Sequence, residues 1–490
     1  MTGLLSKSAL YWGLVIIGGS LRLAQYLANR SLWFDEALLS LNIVRRSLSD
    51  LMLPLDDNQG APIGFLMIEK LAVLSLGTNE YALRLFPLLS SIVALVLFCK
   101  LAKASISERG AFIALGLFAI VDPLIYYASE VKQYSIDVMF AVASVLLCLT
   151  IQKRDPPSVT LLAAYGLIGG AALWFSHPAL FVLGSTGTCL VWLYRKEWRP
   201  LQWLAGILTI WLSSFALVYY ANLRHLTSNS GLLAYWQSAF IPLPPKSFAD
   251  LLWFPAHVLG IFSFPVGLPQ YGVGLLAFTV GAIALYREKN ALLPITGLMI
   301  GLVLLASALH KYPFGGRLLL FLVPCLILMV GEGVSEMLRH GNGRTMVPGV
   351  VVVTLLFFQP VCDAVGKLVS PRKHEEIRPL LSYYQAMRQD GDLLYRYDGA
   401  GPALEFYARE YGIREYISGV TSPQDLSRYI DDVNALRGQP RVWLLFSHVI
   451  QQYGLDEEKF FLSVLNRAGH RLDARTAFGA SLYLYDLRKD

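Results

Sequence analysis

The sequence predicts a polytopic α-helical membrane protein with a small C-terminal α/β domain. Apolar residues make up 55% of the 490 residues and charged residues only 16%, and the mean hydropathy is +0.50. Apolar stretches recur along residues 1–362, whereas the chain beyond residue 363 shows amphipathic and strand-like patterns. A soluble fold of this length has too much surface for so few charges, whereas lipid solvates an apolar exterior.

The number of spans follows from the length of the apolar stretches and from the positions of the basic residues. A spanning helix needs about 20 mostly apolar residues. Two apolar runs, 62–77 and 248–266, are ambiguous. The candidate spans are 8–28, 84–103, 109–127, 133–151, 159–175, 177–194, 201–221, 271–286, 291–309, 315–334 and 346–362.

The basic clusters decide the orientation, because Lys and Arg accumulate on the cytoplasmic side. If neither ambiguous run crosses, all six clusters fall on one side. This arrangement gives eleven spans, a cytoplasmic N-terminus and two interfacial helices along the outer face, as expected for a multi-pass protein of a bacterial-type inner or plasma membrane. The clusters are Lys7, Lys100/Lys103/Arg109, Lys153/Arg154, Arg195/Lys196/Arg199, Arg287/Lys289 and Arg339/Arg344.

We therefore predict two domains. Residues 1–362 form a transmembrane module whose first outer loop is 29–83, and residues 363–490 form an extracytoplasmic α/β domain. Within the latter, the patterns predict a partly parallel sheet. Its strands are predicted at 392–397, 441–446 and 481–487, and its helices at 374–389, 402–411, 423–436 and 456–468.

Several function classes are disfavoured because their characteristic motifs are missing from the sequence. The sequence contains no GxGxxG, no P-loop, no GxSxG and no Cys/His cluster with zinc spacing. It also has no long basic stripe with interleaved aromatic residues, so nucleic acid is not an expected partner. The bilayer is the one partner that composition alone predicts.

The first outer loop opens with two adjacent carboxylates, Asp35 and Glu36, behind Trp33 and Phe34. Partial desolvation at the lipid–water boundary tends to raise a carboxylate's pKa toward that of a useful general base. The alternative is structural, with Asp35 or Ser31 as the N-cap of a short interfacial helix.

An ordered set of motifs along residues 20–330 resembles the GT-C glycosyltransferases of the protein O-mannosyltransferase and aminoarabinose transferase type. The resemblance implies transfer of a sugar from a polyprenyl-phosphate donor to an acceptor on the outer face, with inversion. It assigns the general base to Asp35, whereas Glu36 would orient the loop or assist a metal. The motifs are Arg22-Leu23, Trp33-Phe34-Asp35-Glu36-Ala37, the segment around Pro62, Asn79 to Pro87, Tyr126 to Tyr134, Phe175 to Pro178, and Tyr312 to Leu318.

A phosphate leaving group needs positive charge. The candidates for binding the donor phosphate are Arg317, Lys132, Arg22 and Arg84. Alternatively, Arg22 and Arg317 snorkel to the interface. Further candidates in the outer segments are Glu130, Tyr134 and His177, although Glu130 could pair with Lys132 and His177 could be a turn residue.

One departure from the family concerns metal binding. The aminoarabinose transferases place a Glu-Lys pair just before the loop proline, whereas Asp56 and Asp57 lie in the segment before Pro62 here. Together with His310 they form a candidate site for Mg²⁺, Mn²⁺ or Ca²⁺, since these cations prefer oxygen ligands. The alternative is that both are solvated loop residues.

The resulting hypothesis is an inverting membrane glycosyltransferase whose acceptor is a lipid, glycan or protein. Two alternatives come from other classes. A transporter or flippase of a lipid-linked glycan would show two related halves with interrupted helices at the midplane. A non-catalytic envelope scaffold would use its C-terminal domain to bind a partner.

Overall fold

The computed structural model describes residues 7–339, 347–420, 425–449, 451–452 and 455–488. The chain forms two compact units. The first unit comprises Met1–Ala28 and Arg46–Pro371, and the second comprises Asn29–Arg45 and Arg372–Asp490. The predicted domain boundary at 362/363 lies within a helix that continues to Val369.

The first unit is helical, and the second contains helices and a sheet. Helices α2 and α18–α21 belong to the second unit. The α-helices are α1 (Lys7–Leu27), α2 (Phe34–Arg45), α3 (Ile63–Leu76), α4 (Glu80–Ser105), α5 (Glu108–Ile120), α6 (Asp122–Tyr126), α7 (Tyr134–Gln152), α8 (Val159–Phe175), α9 (Ala179–Leu193), α10 (Trp198–Val218), α11 (Arg224–Leu226), α12 (Ser230–Tyr235), α13 (Phe248–Ser263), α14 (Tyr271–Arg287), α15 (Leu292–Ala308), α16 (Val323–Arg339), α17 (Val347–Val369), α18 (Arg378–Met387), α19 (Gly401–Tyr407), α20 (Ser427–Ala435) and α21 (Glu457–Ala468).

The helices confirm a multi-pass membrane protein. Each of the eleven predicted spans contains a helix, and the ambiguous runs 62–77 and 248–266 form α3 and α13. Among the described residues, five helices are long and apolar enough to cross a bilayer, and a bent pair supplies a sixth. The total of eleven spans and their orientation stay predictions, and Arg344 lies outside the described residues.

One predicted span is interrupted. The sequence predicts a single helix over 109–127, but α5 ends at Ile120 and the chain bends by 55° before continuing as α6. The extended residue Val121 forms the break, and Pro123 follows it. Proline has no N–H with which to bond the carbonyl four residues earlier, so the Ala119 carbonyl lacks a helical partner and a break is favoured here.

A buried arginine donates hydrogen bonds to the backbone carbonyls at this bend. Arg22 of α1 donates to the carbonyl oxygens of Phe118 at 3.0 Å and Ala119 at 3.0 Å. It also donates to Gly18 O at 2.9 Å and to Ser91 Oγ at 2.8 Å, and its side chain is fully buried. Unsatisfied backbone carbonyls are costly in an apolar interior. Arg22 therefore joins α1, α4 and the end of α5, and it does not snorkel to the surface.

Two glycines allow α14 and α16 of the first unit to pack closely. At the crossing of α14 and α16, a Cβ added to Gly281 would lie 1.9 Å from Met329 O, and one added to Gly333 would lie 1.8 Å from Ala277 O. Only glycine permits this approach, and small residues bring helices together in membranes in the same way.

The second unit contains a five-stranded sheet in the order β2-β1-β3-β7-β6. The first three strands in this order are parallel to one another. β7 pairs antiparallel with β3, and β6 pairs antiparallel with β7, which confirms the predicted partly parallel sheet. Residues of β1, β3 and β7 form an apolar core with α20 and α21. The strands are β1 (Leu393–Arg396), β2 (Ile417–Ser418), β3 (Val442–Ser447), β6 (His470–Ala477) and β7 (Ala480–Asp486), and a separate pair is formed by β4 (Gln451–Gln452) and β5 (Leu455–Asp456).

The sequence predicted the central strands β1, β3 and β7 but neither edge strand, β2 or β6. In β6, six of the eight residues are exposed, and the strand carries Arg471, Asp473 and Arg475. Charged residues are common on edge strands, where they block pairing with other chains. The apolar alternation that identifies a half-buried strand is therefore absent. Of the predicted helix 423–436, residues 423 and 424 lie outside the described residues.

The orientation can be tested by cysteine labelling with a membrane-impermeant maleimide. We expect cysteines placed at the exposed positions Asp57, Ser230 and Asp390 to react from outside, and those at Arg154 and Glu288 to react only after permeabilisation. The exposed native Cys362 is first replaced by serine. Outside labelling at position 154 would contradict the predicted orientation.

Candidate active site

Asp35 and Glu36 lie in the first turn of α2. Because the helix begins at Phe34, Asp35 is within the helix, not its N-cap. Asp35 is half-buried, and Glu36 is fully buried. Negative charge in the first turn is stabilised by the helix dipole, so both carboxylates suit this position electrostatically.

Glu36 forms an ion pair inside the second unit. Its Oε1 lies 3.7 Å from Nη2 of Arg30, and both side chains are at most 1% exposed. A buried charge persists only when it is paired, so this contact ties the start of α2 to the chain before it. The contact favours a loop-orienting role for Glu36. Sequence reasoning missed Arg30, although it lies next to the Ser31–Phe34 motif.

The backbone entering α2 is held by residues that sequence reasoning also missed. The Phe34 N–H donates to Glu375 Oε2 at 2.9 Å, and the Leu32 N–H donates to the Tyr407 hydroxyl oxygen at 2.9 Å. Glu375 lies in the stretch 374–389, which the sequence predicted as a helix; α18 begins only at Arg378, and the pattern gave no signal of a capping role.

Histidines and aromatic rings surround the same segment. The ring of His374 stacks on Trp33 with 5.0 Å between centroids. Burial, together with the nearby Arg372 and Arg30, lowers the pKa of His374, and neighbouring carboxylates act in the opposite direction. His374 is therefore neutral at a lower pH than a free histidine would be.

In the first unit, the structure brings Arg317 and Tyr134 together. Arg317 lies in the 3₁₀ helix Gly316–Leu322, which packs against α7, and its guanidinium carbon is 5.6 Å from the Tyr134 ring centroid. Gly316 has φ +56°, a left-handed conformation that favours glycine. Arg317 is half-buried, and its guanidinium lies over the ring at a cation–π distance.

Lys132 and Glu130 lie in the buried turn before α7. Lys132 Nζ donates to Gln59 Oε1 at 2.9 Å, and the Tyr126 hydroxyl donates to Glu130 Oε1 at 3.4 Å. Gln59 lines a small cavity of about 50 Å³ together with Pro54, Leu55, Asn222, His225, Leu226 and Asn229. Gln59 is therefore a partner of Lys132 that sequence reasoning missed.

Three further candidates have separate surroundings. Arg84 is almost fully buried on α4, one turn after the buried Glu80. His177 is half-buried in the turn between α8 and α9, and its Nε2 has no hydrogen-bond partner among the described residues. The donors of Arg22 are bound to Ser91 and to the carbonyls of Gly18, Phe118 and Ala119. Their roles in the site, like those of the other candidates, stay predictions.

No protein-family model and no curated protein matches this chain by sequence. Solved structures do match its fold. ArnT from Cupriavidus metallidurans bound to undecaprenyl phosphate has a TM-score of 0.54 at 12% identity, and the match covers 96% of this chain and 98% of that one. The oligosaccharyltransferase of Archaeoglobus fulgidus in complex with Zn and sulfate has a TM-score of 0.55 at 11% identity, covering 97% and 73%. The chain has the GT-C fold.

The GT-C resemblance predicted from the motifs is thereby confirmed for the fold. A third match is AglB from Archaeoglobus fulgidus in complex with an inhibitory peptide and a dolichol-phosphate, with a TM-score of 0.54 at 10% identity, covering 98% of this chain and 74% of that one. At such low identity the GT-C fold is what these matches establish. Such low identity is compatible with a shared fold because apolar core positions tolerate extensive exchange of residues as long as the core volume and the apolar pattern are kept.

The GT-C structure with Zn raises the question of a metal site here. Asp56 forms an ion pair with Arg46 at 2.7 Å, and Asp57 is exposed with φ +56°. His310 is exposed and stacks on Phe240 with 5.0 Å between centroids. Over the ranges that the structure describes, no three His, Cys, Asp or Glu residues are grouped so as to hold an ion. The described donor set does not fit a metal centre, and we derive no step through one.

This leads to a prediction for the candidate metal ligands. We expect Asp57→Ala to keep at least about half of the transfer rate, because an exposed loop carboxylate contributes little. The measurement is the initial rate with and without EDTA, with Asp390→Ala as an exposed control. A loss in Asp57→Ala alone that excess Mg²⁺ or Mn²⁺ restores would establish Asp57 as a ligand.

Proposed function

We propose that this protein is an inverting glycosyltransferase that moves a sugar from a polyprenyl-phosphate donor to an acceptor on the extracytoplasmic face. One observation carries the proposal: the GT-C fold extends over 96% or more of the chain in matches to proteins solved with undecaprenyl phosphate and with dolichol-phosphate. The conserved fold class does not by itself fix the chemistry. The carboxylates of α2 supply the chemistry that the fold alone does not specify.

In the proposed reaction, Asp35 accepts the proton of an acceptor hydroxyl. The acceptor oxygen forms a bond to the anomeric carbon while the bond between that carbon and the phosphate oxygen breaks. Polyprenyl phosphate leaves with the electron pair, and the anomeric configuration inverts. A half-buried carboxylate in a helical first turn is held in place and still accessible, as a general base must be.

The leaving phosphate gains negative charge, and we assign Arg317 to it. Its guanidinium lies over the Tyr134 ring, and a planar guanidinium can bind two phosphate oxygens at once. Lys132 is the second candidate, since its ammonium lies in the buried turn before α7 and donates to the neutral amide oxygen of Gln59 at 2.9 Å. Arg22 is the weakest candidate, since four donor contacts go to the protein.

The membrane part fits a donor with a long isoprenoid chain. Such a lipid can enter sideways from the outer leaflet, and the apolar helices of the first unit would face its chain. We propose eleven spans, a cytoplasmic N-terminus and an extracytoplasmic C-terminal domain.

The proposal is tested with the full chain purified in lipid nanodiscs. Undecaprenyl phosphate carrying mannose, glucose or aminoarabinose is supplied in separate reactions with an envelope extract as the acceptor source. We expect release of undecaprenyl phosphate and a mass increase in an envelope lipid, glycan or protein. Translocation of the intact donor across proteoliposomes without release would instead favour a flippase. Neither outcome with any of the three donors, alongside an unchanged envelope in a deletion strain, would favour a scaffold.

A further inference from the structure

The N-terminus of α2 is capped from a distant part of the chain. The first N–H groups of a helix have no partner inside it. Here the Phe34 N–H donates to Glu375 Oε2 at 2.9 Å, and Glu375 is 341 residues away in sequence. Its negative charge lies at the positive end of the α2 dipole, where a carboxylate is favourable. The residue next to this contact is Asp35.

Glu375 is itself fixed by the end of β3. Its Oε1 is 2.7 Å from His448 Nδ1, its Oε2 accepts from Ser447 Oγ at 3.4 Å, and it is only 8% exposed. The His448 ring also stacks on the Phe34 ring, with 4.2 Å between centroids and 7° between planes. Glu375 and His448 therefore hold the backbone and the side chain of Phe34 at the same time.

The residues before Phe34 are held in the same manner. Glu376 Oε2 accepts from Ser31 Oγ at 3.3 Å, and the Arg378 N–H donates to Ser31 Oγ at 3.2 Å. Arg378 Nη1 donates to Asn29 O at 3.1 Å, and the Tyr407 hydroxyl accepts the Leu32 N–H at 2.9 Å. Residues 29, 31, 32 and 34 are thus each hydrogen-bonded to a residue between 375 and 407.

This set of contacts is larger than an ordinary helix cap. A capping side chain usually satisfies one of the first N–H groups of a helix, and loop backbone usually lies at the protein surface. Burying the Glu375 carboxylate is costly unless its partners are in place, so the contacts form as a set. Their common consequence is one fixed backbone position for the residue that follows Phe34.

We propose that Glu375 is a positioning residue for Asp35, and that the role of the C-terminal part of the second unit is to fix the segment 29–34. The contacts of Glu376, Arg378, Tyr407 and His448 complete this clamp. The proposal rests on the proposed function for the role of Asp35, but the fixation of the segment stands on its own geometry. A displacement of about 1 Å in a catalytic group can cost about 10²-fold in rate.

The test uses two variants and a matched control in the full chain. Glu375→Ala removes the cap, and Tyr407→Phe removes one hydroxyl while keeping the ring. The control is Glu405→Gln, which breaks the exposed Arg45–Glu405 ion pair between α2 and α19. Hydrogen–deuterium exchange of residues 29–36 is measured beside kcat and KM.

We expect faster exchange at Phe34 in Glu375→Ala and at Leu32 in Tyr407→Phe, with wild-type exchange in the control. We expect kcat to fall by about tenfold to a hundredfold in Glu375→Ala, with KM for the donor within about threefold. Glu375→Gln retains an acceptor for the Phe34 N–H and should recover part of both signals.

Other outcomes overturn the inference. Unchanged exchange at 29–36 in both folded variants would show that the clamp does not fix the segment. Faster exchange with unchanged kcat, in protein whose Asp35→Asn variant is inactive, would show that the clamp does not position the base. If Glu375→Ala does not fold, Tyr407→Phe decides by the same criteria. A failure of the proposed function differs from these, since the wild type would then show no transfer while the exchange results would still apply.

Discussion

Asp35→Asn is expected to lower kcat by about 10²–10⁴-fold, the usual contribution of a general base. The amide is nearly isosteric with the carboxylate but cannot take the acceptor proton. Asp35 is half-buried in the first turn of α2, so the loss of one charge there leaves the helix in place. Donor affinity should stay within a few-fold, because donor phosphate binding is assigned to other residues. The measurements are single-turnover rates and donor Kd in nanodiscs.

Asp35→Glu and Glu36→Gln are the matched variants. A longer carboxylate keeps a base at a shifted position, so Asp35→Glu should retain more activity than Asp35→Asn. Glu36→Gln weakens the buried pair with Arg30, so its first effect should be a lower thermal unfolding temperature. Wild-type turnover in folded Asp35→Asn would exclude Asp35 as the base and leave the flippase and scaffold alternatives.

Arg317→Lys is expected to lower kcat/KM for the donor by about tenfold to a few hundredfold. A charge-assisted hydrogen bond contributes roughly 1.5–3 kcal/mol, and each 1.36 kcal/mol is a factor of ten. Lysine keeps the charge but loses the planar fork that binds two oxygens, and it loses the cation–π contact of the guanidinium with Tyr134. Both donor affinity and turnover should decline, since charge on the phosphate grows as it leaves.

Arg45→Lys provides the control for this substitution. Arg45 pairs with Glu405 while 54% exposed, and an exposed ion pair contributes little, so near wild-type kinetics are expected. If Arg317→Lys behaves like Arg45→Lys, the charge of Arg317 contributes only to packing or to contact with the membrane interface. The donor-phosphate role would then move to Lys132.

Local sequence patterns predicted much of this fold because they report burial directly. Apolar length predicted α1, α4, α7 and the other membrane helices, and the change of period after residue 363 predicted β1, β3 and β7. The failures have physical causes. The edge strand β6 is charged because its position requires it to be, and the straight helix predicted over 109–127 is broken where Pro123 removes a backbone donor.

For the candidate site too, part could be predicted from the sequence and part only from the folded structure. The sequence by itself determined which residue types stand at exceptional positions: the carboxylates Asp35 and Glu36 after an apolar run, and Arg22 inside one. Such residues are identified without coordinates because burying a charge is costly enough to mark them. What each charge does depends on partners far away in sequence, and only the tertiary structure decided it.

Arg22 and Glu375 make the contrast plain. In sequence Arg22 looked like a phosphate ligand, but its donors bind the carbonyls that the bend at Val121 exposes. Glu375 was predicted as part of a helix, yet it caps α2 across 341 residues. A hydrogen bond depends on distance and angle, and no local pattern encodes either between segments so far apart. The residues available for chemistry were therefore set by the sequence, and their division between structural and catalytic work was set by the fold.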